Sequence, residues 1–166
     1  MNTAKPPTRP LPPVRELMHP RLLIQRLDPA VPLPAYQSDL AAGMDIHAAL
    51  TDPVVLAPGD IRLIPAGFRM ALPAGFEAQI RPRSGLASKF GVTLPNAPGT
   101  IDADYRGQVM IPLINLGRAP FTVEPHMRIA QMVIAPVLRA QITERPADAV
   151  LPPTTRDTGG FGSTGL

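Results

Sequence analysis

Residues 98–107 read PGTIDADYRG, and the apolar run QVMIPLINL follows directly at residues 108–116. Pro98-Gly99 is a turn signal and QVMIPLINL is strand-like, so the first segment looks like a hairpin connection between two strands. The same pattern, short apolar stretches separated by turn residues, predicts a β-sandwich or a barrel for the whole chain. The other strand-like runs are RLLIQRL (21–27), IRLIPAG (61–67), FEAQIRP (76–82) and MRIAQMVIAPVL (127–138).

Composition agrees with one all-β domain. The chain has 166 residues, of which 45% are hydrophobic and 4% aromatic, and this predicts a single core built from aliphatic side chains. The 23 prolines argue against long helices. One short helix is expected over LASKF, with Ser84 as its N-cap and Gly91 just past its end.

Charge and cysteine content exclude several classes of protein. The net charge of +3 comes from the first 21 residues, and from Leu22 onward 12 basic residues balance 12 acidic ones, which argues against a nucleic-acid-binding domain. The absence of cysteine excludes disulfides and thiolate chemistry. Because the sequence has neither a membrane-spanning apolar run nor a signal-peptide pattern, we expect a cytoplasmic protein with no membrane partner.

The two ends of the chain differ from its body. Residues 1–20 contain six prolines and predict a flexible tail, or, from their PxxP spacing, a ligand for an unknown partner. Residues 21–150 are expected to form the folded domain, and residues 151–166 a mobile Gly-rich arm. GGFGSTG (159–165) lacks the lysine of a phosphate-binding P-loop, but its amides could still close over a phosphate.

Several polar groups could carry chemistry. Asp102 and Asp104, near Tyr105 and Arg106, could be a base with substrate contacts, or ordinary turn acids. PRSG at 82–85 is either an anion site at a helix start or a plain capped turn. Three histidines without partners at ligand spacing, and no GxSxG, make a zinc, histidine-base or serine-elbow enzyme improbable.

Two further polar residues lie in apolar surroundings. Asp45 could hold metal-bound water, pair with an arginine, or be a turn acid. Gln131 lies in an apolar strand, where either a ligand or the backbone must satisfy its amide.

The chain contains five motifs in the order AGMDI (42–46), PRSGLASKFGV (82–92), NAPGTIDADYRG (96–107), RIAQM (128–132) and RDTGGFGSTG (156–165). In sequence and order they resemble the five motifs of the trimeric dUTPases, and the likeness runs from about Arg21 to Gly165. The resemblance implies a distorted jelly-roll β-sandwich that assembles into a homotrimer with a C-terminal arm, each active site being built from all three chains. It also implies hydrolysis of dUTP to dUMP and pyrophosphate by water attack at the α-phosphorus, which supplies dUMP for dTMP synthesis and keeps uracil out of DNA.

The resemblance implies a role for each matching residue. Asp102 would activate the water, and Tyr105 would pack on the deoxyribose and leave no room for a 2′-hydroxyl. Asp45 and Gln131 would support phosphates, metal-bound waters or the subunit junction, with Mg²⁺ held by triphosphate oxygens and water and by no direct protein ligand. The other expected substrate contacts are Arg83, Ser84 and Gly85 for phosphate; Asn96, Gly99, Thr100 and Ile101 for uracil; Met110; and Arg156, Phe161, Gly162 and Ser163 in the arm.

Two alternatives stay open. A dCTP deaminase of the same fold resembles this sequence around Pro82-Arg83-Ser84, but it needs a Glu after the aromatic-containing segment, where this chain has Gln108. A regulatory protein that senses dUTP would not need the intact acid at position 102, although the Pro-rich tail could serve a second, signalling role.

Overall fold

The computed structural model describes residues 19–160, and within that range the chain forms eleven β-strands and one α-helix. We number them β1 to β11 and α1 in chain order. Their bounds are β1 Leu23–Arg26, β2 Ala35–Tyr36, β3 Met44–His47, β4 Val54–Leu56, β5 Ile61–Ala71, β6 Phe76–Pro82, α1 Ser84–Phe90, β7 Val92–Thr93, β8 Gly99–Ile101, β9 Gln108–Asn115, β10 Phe121–Val123 and β11 Arg128–Pro136.

The strands form three antiparallel sheets. A four-stranded sheet has the order β1-β5-β9-β7, and a five-stranded sheet has the order β2-β3-β11-β6-β8. A two-stranded ribbon pairs β10 with β4. Strands distant in sequence are neighbours in each sheet, so long-range pairing holds the chain together. The predicted all-β sandwich with a short helix is confirmed.

The core shows the predicted aliphatic character. In β9 every second side chain is buried, and β6 alternates in the same way, so each strand has one face toward the core and one away from it. The aromatic members of the core are Phe68, Phe76 and Phe121. The largest fully buried aliphatic side chains are Ile46, Leu56, Ile64, Ile111, Leu113, Ile129 and Met132.

The prediction of a hairpin at residues 98–107 is wrong. β8 pairs with β6 in the five-stranded sheet, whereas β9 pairs with β5 and β7 in the four-stranded sheet. Residues 102–107 therefore form a connection that crosses from β8 in one sheet to β9 in the other. Alternating apolar residues indicate that a strand has a buried face, but they do not determine which strand it pairs with.

The predicted helix is present, but it begins one residue from where the cap was placed. Ser84 is its first residue, and Arg83 occupies the N-cap position without a side-chain capping bond. Gly91 ends the helix with a φ of 71°, as its position predicted. A side chain on Gly91 would also collide with the backbone of Gly117, so the helix end packs directly on the turn after β9. Within residues 19–160, no helix is long and apolar enough to cross a membrane.

Asn115 is a fully buried polar side chain at the end of β9. Its amide nitrogen donates to the carbonyl oxygens of Leu56 and Ala119, both at 2.9 Å. Its amide oxygen accepts from the backbone N–H of Gly117 at 2.8 Å. Through the buried bond to Leu56 of β4 and the bond to Ala119 just before β10, Asn115 joins the two-stranded ribbon to the four-stranded sheet.

Replacing Asn115 with Leu, which has a similar volume, should lower the free energy of unfolding by about 3–5 kcal/mol. The substitution removes the partner of the buried Leu56 carbonyl oxygen and breaks two part-buried bonds, to the Ala119 carbonyl oxygen and from the Gly117 N–H; a buried group left unpaired costs about 1–3 kcal/mol. Thermal unfolding at one fixed protein concentration measures the loss. Thr122→Ala, at an exposed position of β10, is the control and should change stability by less than about 0.5 kcal/mol. Equal melting temperatures for Asn115→Leu and the native chain would contradict this account.

Candidate active site

A cavity of about 210 Å³ lies beside the connection between β8 and β9. Five of the residues that line it were expected at the site: Thr100, Ile101, Asp102, Tyr105 and Met110. The sixth, Val109, was not expected, since its place in the buried alternation of β9 indicates only a core role. The connection thus brings an exposed carboxylate, an aromatic ring and apolar side chains around one small space.

The turn that carries Asp102 is bound to itself at several points. The Tyr105 backbone N–H donates to the Asp102 carbonyl oxygen at 3.1 Å, and the Tyr105 hydroxyl donates to the Gln108 carbonyl oxygen at 3.0 Å. The Arg106 guanidinium donates to the carbonyl oxygens of Ala103 and Tyr105, both at 2.7 Å. Arg106, considered a substrate contact from the sequence, therefore stabilises the turn. These bonds fix the backbone that carries the carboxylate and the ring.

A second polar cluster lies where three strands meet. The Asp45 carboxylate, on β3, accepts from Arg83 Nε at 3.1 Å and from Arg128 at 3.0 Å, one guanidinium on each oxygen. Arg83 also donates to the Arg128 carbonyl oxygen at 3.2 Å. The sequence left three roles possible for Asp45: holding metal-bound water, pairing with an arginine, or acting as a turn acid. The structure supports pairing with arginine. Arg128 was missed from the sequence, although it begins the RIAQM motif.

Gln131 borders this cluster, and the backbone satisfies its amide. Its Nε2 donates to the Pro82 carbonyl oxygen at 2.9 Å. A side chain at Gly43 would lie 2.5 Å from the Gln131 amide oxygen, so Gly43 leaves the space that this amide occupies. The backbone alternative for Gln131 is therefore the one observed, and the amide oxygen faces the strand that carries Asp45.

The other expected residues lie around these two clusters. Ser84 and Gly85 are exposed at the start of α1, next to Arg83. Asn96 is exposed, and its amide nitrogen lies beside Gly99, where an added Cβ would be 3.2 Å away. Arg156 is exposed in a turn, donating from Nε to the Gly159 carbonyl oxygen at 2.8 Å. The remaining three, Phe161, Gly162 and Ser163, lie outside the described residues.

His47 follows the cluster on β3. Burial lowers the pKa of this imidazole below its ordinary value, and the charges of Arg128, Arg83 and His126 lower it further, against an opposing effect of Asp45. Its Nδ1 is buried without a hydrogen-bond partner. His47 is therefore neutral at pH 7 and adds no third positive charge beside Arg83 and Arg128.

The fit of a divalent cation can be judged from the side chains present. Residues 19–160 contain no group of three or more acidic or histidine side chains placed to bind a metal ion. Both oxygens of Asp45 accept from guanidinium groups. Asp102 is an exposed carboxylate at the cavity, so the residues present fit a cation whose other ligands come from a bound polyphosphate and water. The described chain is not built to hold a bare ion.

The two clusters are separate on one chain: among the described residues, none of Asp45, Arg83, Arg128 and Gln131 lines the cavity beside Asp102. One provides a small half-apolar cleft with a carboxylate. The other provides two guanidinium groups of the kind that bind phosphate. An all-β fold with this pair of sites is a nucleotide-processing enzyme by class.

Comparison with known proteins identifies the particular family. The family model of the dUTPases matches residues 30–165. A deoxyuridine 5′-triphosphate nucleotidohydrolase of Thermoanaerobacter sp. (strain X514) is 52% identical over 147 residues, covering 87% of this chain and 97% of the relative. The enzyme of that name from Rhizobium etli is 56% identical over 136 residues, covering 81% and 85%. The chain belongs to the dUTPase family, the dUTP diphosphatases.

Solved structures agree with the sandwich described above. The dUTPase of Staphylococcus bacteriophage 80alpha, solved with dUpNHpp, superposes with a TM-score of 0.78 at 24% identity, covering 88% of this chain and 99% of that one. The dUTPase of phage phi11 of S. aureus, solved with a structural Mg(II) ion, has a TM-score of 0.69 at 22% identity, covering 76% and 97%. These likenesses confirm the predicted jelly-roll fold.

Asp45→Asn keeps the shape of the side chain and removes its charge, so two neighbouring guanidinium groups lose their counter-charge. We expect the free energy of unfolding to fall by about 1–3 kcal/mol, less than for a fully buried pair because the Arg128 side chain is 46% exposed. Thermal unfolding at low ionic strength measures this change.

Asp60→Asn is the matched control. Asp60 lies 3.9 Å from Arg62 with both side chains largely exposed, and the amide oxygen of Asn can still accept the hydrogen bond that the Ala57 N–H now donates to Asp60 at 3.1 Å, so the loss of charge should change stability by less than about 0.5 kcal/mol. If the two variants melted at the same temperature, the Asp45 cluster would have no structural role.

Proposed function

We propose that the chain hydrolyses dUTP to dUMP and pyrophosphate, with Asp102 as the residue that activates water. The observation that carries this proposal is the position of Asp102, exposed on a hydrogen-bonded turn at the edge of a cavity that Tyr105 also lines. Family membership supports the substrate. In this role the enzyme supplies dUMP for dTMP synthesis and keeps uracil out of DNA.

The chemical step needs a base and an in-line water. The Asp102 carboxylate accepts a proton from water, whose oxygen forms a bond to the α-phosphorus while the bond from that phosphorus to the bridging oxygen breaks. Pyrophosphate leaves with the electron pair of that bond. An exposed carboxylate on a fixed turn suits this step, because water can reach it and its direction is constrained.

Charge on the triphosphate is balanced by the second cluster. We assign Arg83, Ser84 and Gly85 to phosphate contacts, and Asp45 and Gln131 to the support of that surface. Asp45 holds Arg83 and Arg128 in place, which leaves the remaining donors of both guanidinium groups for a phosphate. Mg²⁺ bound to the triphosphate oxygens would neutralise further charge, and Asp45 and Gln131 would contact its waters.

The nucleoside would occupy the cavity. Tyr105 packs on the deoxyribose, and the edge of uracil is read by Asn96 with the backbone of Gly99, Thr100 and Ile101, while Met110 forms an apolar wall. A backbone fixed by strand pairing can reject cytosine, because the wrong donor pattern leaves buried groups unpaired. The pairing of β8 with β6 provides that rigidity.

The arm at residues 151–166 would close over the bound nucleotide. In this assignment Arg156 and Ser163 approach the γ-phosphate, Gly162 supplies a backbone amide, and Phe161 stacks on uracil. The exposed position of Arg156 is compatible with such a movement.

We propose a homotrimer in which neighbouring chains complete each site, since among the described residues no member of the Asp45 cluster lines the cavity beside Asp102. The outward face of the four-stranded sheet supports assembly. On this face Ile61 and Leu63 of β5 lie opposite Ile114 and Pro112 of β9. The Ile61 and Leu63 residues are more than half exposed. Apolar pairs of this kind on an open sheet face mark an interaction surface. Residues 137–151 add exposed apolar side chains, among them Leu138 and Ile142.

Asp102→Asn should lower kcat by about 10²- to 10⁴-fold, the usual contribution of a general base, while binding of the analogue dUpNHpp is retained. Pyrophosphate release measures the rate, and titration calorimetry measures the binding. Asp104→Asn is the control: this neighbouring acid is exposed and does not line the cavity, so its removal should leave turnover near the native rate. Native turnover in Asp102→Asn would show that another group is the base.

The reaction itself is tested by measuring pyrophosphate release from dUTP, dTTP, dCTP and UTP. We expect release from dUTP alone at appreciable rate. Ammonia released from dCTP would instead indicate the deaminase alternative, and tight dUTP binding without turnover would indicate a purely regulatory protein.

Light scattering should give a mass three times the chain mass of 17.7 kDa. Leu63→Glu places a charge on the outward sheet face and should shift the population toward monomer, with hydrolysis lost in proportion. Arg62→Glu, one residue away on the same strand, controls for the charge alone and should keep the native mass. A native chain that is monomeric at working concentration and still hydrolyses dUTP would contradict the shared-site arrangement.

The expected cytoplasmic location, the absence of a nucleic-acid partner and a partner for the Pro-rich tail stay predictions. A pull-down with residues 1–20 addresses the last of these.

A further inference from the structure

We infer that Gly107 is a specificity-determining position, because its missing side chain leaves the space in which the Tyr105 ring lies, and that this placement sets the preference for deoxyribose over ribose. The inference rests on the proposed function, in which Tyr105 packs on the sugar. Gly107 would act through Tyr105 and is therefore a positioning residue.

The collision that a side chain would cause is direct. A Cβ built on Gly107 meets the Tyr105 hydroxyl oxygen first, and ring atoms Cζ and Cε2 at 2.5 and 2.9 Å. Real Cβ atoms do not approach other heavy atoms this closely. The ring therefore fills the volume that any side chain at position 107 would need.

Backbone conformation does not explain this glycine. The glycines with positive φ in the described chain are Gly59, Gly67, Gly75 and Gly91, and Gly107 is not among them. Its φ therefore lies outside the left-handed region that favours glycine. The requirement for glycine is therefore one of space, and the group that takes the space is a site residue.

Tyr105 is held at its backbone and at the far end of its ring. The backbone N–H donates to the Asp102 carbonyl oxygen, and the hydroxyl donates to the Gln108 carbonyl oxygen. The hydroxyl reaches Gln108 only because the ring passes directly over Gly107. A methyl group at position 107 would lift the ring, break the hydroxyl bond and free the ring to turn.

The loss should fall on sugar selection. Tyr105 is 44% exposed and lines the cavity beside Asp102, so one side of its ring rests on Gly107 while the rest forms a wall of the site. A wall fixed at two points rejects an added 2′-hydroxyl by steric overlap. A wall free to move rejects it less, while Arg83 keeps its bond to Asp45.

The experiment compares kcat/KM for dUTP and UTP, by pyrophosphate release, in the native chain and in Gly107→Ala. We expect the dUTP-to-UTP ratio to fall at least tenfold in Gly107→Ala. Tyr105→Phe, which keeps the ring and loses only the hydroxyl bond, should lower the ratio by a smaller factor. Gln108→Ala is the matched control, since it removes a neighbouring side chain but keeps the carbonyl that accepts the bond, and it should retain the native ratio.

A double-mutant cycle separates the ring contact from other effects of Gly107. With the ring removed by Tyr105→Ala, adding Gly107→Ala should change neither the ratio nor the melting temperature further. An additional loss in that background would overturn the inference, as would a folded Gly107→Ala with the native ratio. Should Gly107→Ala alone fail to fold, a native ratio in Tyr105→Phe would overturn it.

The proposed function and the role of Gly107 are contradicted by different results. A native chain that releases no pyrophosphate from dUTP overturns the proposed function. A native chain that prefers dUTP, together with a Gly107→Ala variant that prefers it equally, overturns this inference alone.

Discussion

The hydrogen bonding of β11 to strands on both of its sides is the constraint on which the cluster of Asp45, Arg83 and Arg128 depends. β11 pairs with β3 on one side and with β6 on the other, so Gln131 lies opposite Asp45 and Arg81 at once. Arg83 follows the last residue of β6, and Arg128 is the first residue of β11. The carboxylate of Asp45 can bind both only because the two ladders fix the register. A slip of one residue would turn Asp45 to the opposite face of its strand.

The strands could be predicted from the sequence, and their partners could not. The alternation in FEAQIRP indicates a strand with one buried face, and β6 has that strand at those residues. The same kind of pattern in residues 98–116 gave a hairpin that does not exist, because β8 and β9 belong to different sheets. Burial is a property of one segment, whereas pairing is settled by the competition of all strands for neighbours.

The candidate site divides in the same way. Asp102 and Tyr105 lie close in sequence, so a turn alone brings them to one cavity, and their association could be predicted. The pairing of Asp45 with Arg128 spans 83 positions and depends on the sheet register. From the sequence, pairing with an arginine was therefore only one of three possible roles for Asp45. Arginine is a residue type that often binds ligands, so the sequence favoured Arg106 as a substrate contact. In the structure its guanidinium instead donates to two carbonyl oxygens of its own turn.

The buried amide of Asn115 also determines which parts of the molecule open together. A two-stranded ribbon in isolation is marginally stable and would exchange its amide protons quickly with solvent. Here the fully buried Asn115 amide binds Leu56 of β4 and Ala119 just before β10, so the ribbon cannot separate from β9 without exposing that amide. The ribbon and the main sandwich thus form one cooperative unit, and the protons of both would exchange at the rate of global unfolding.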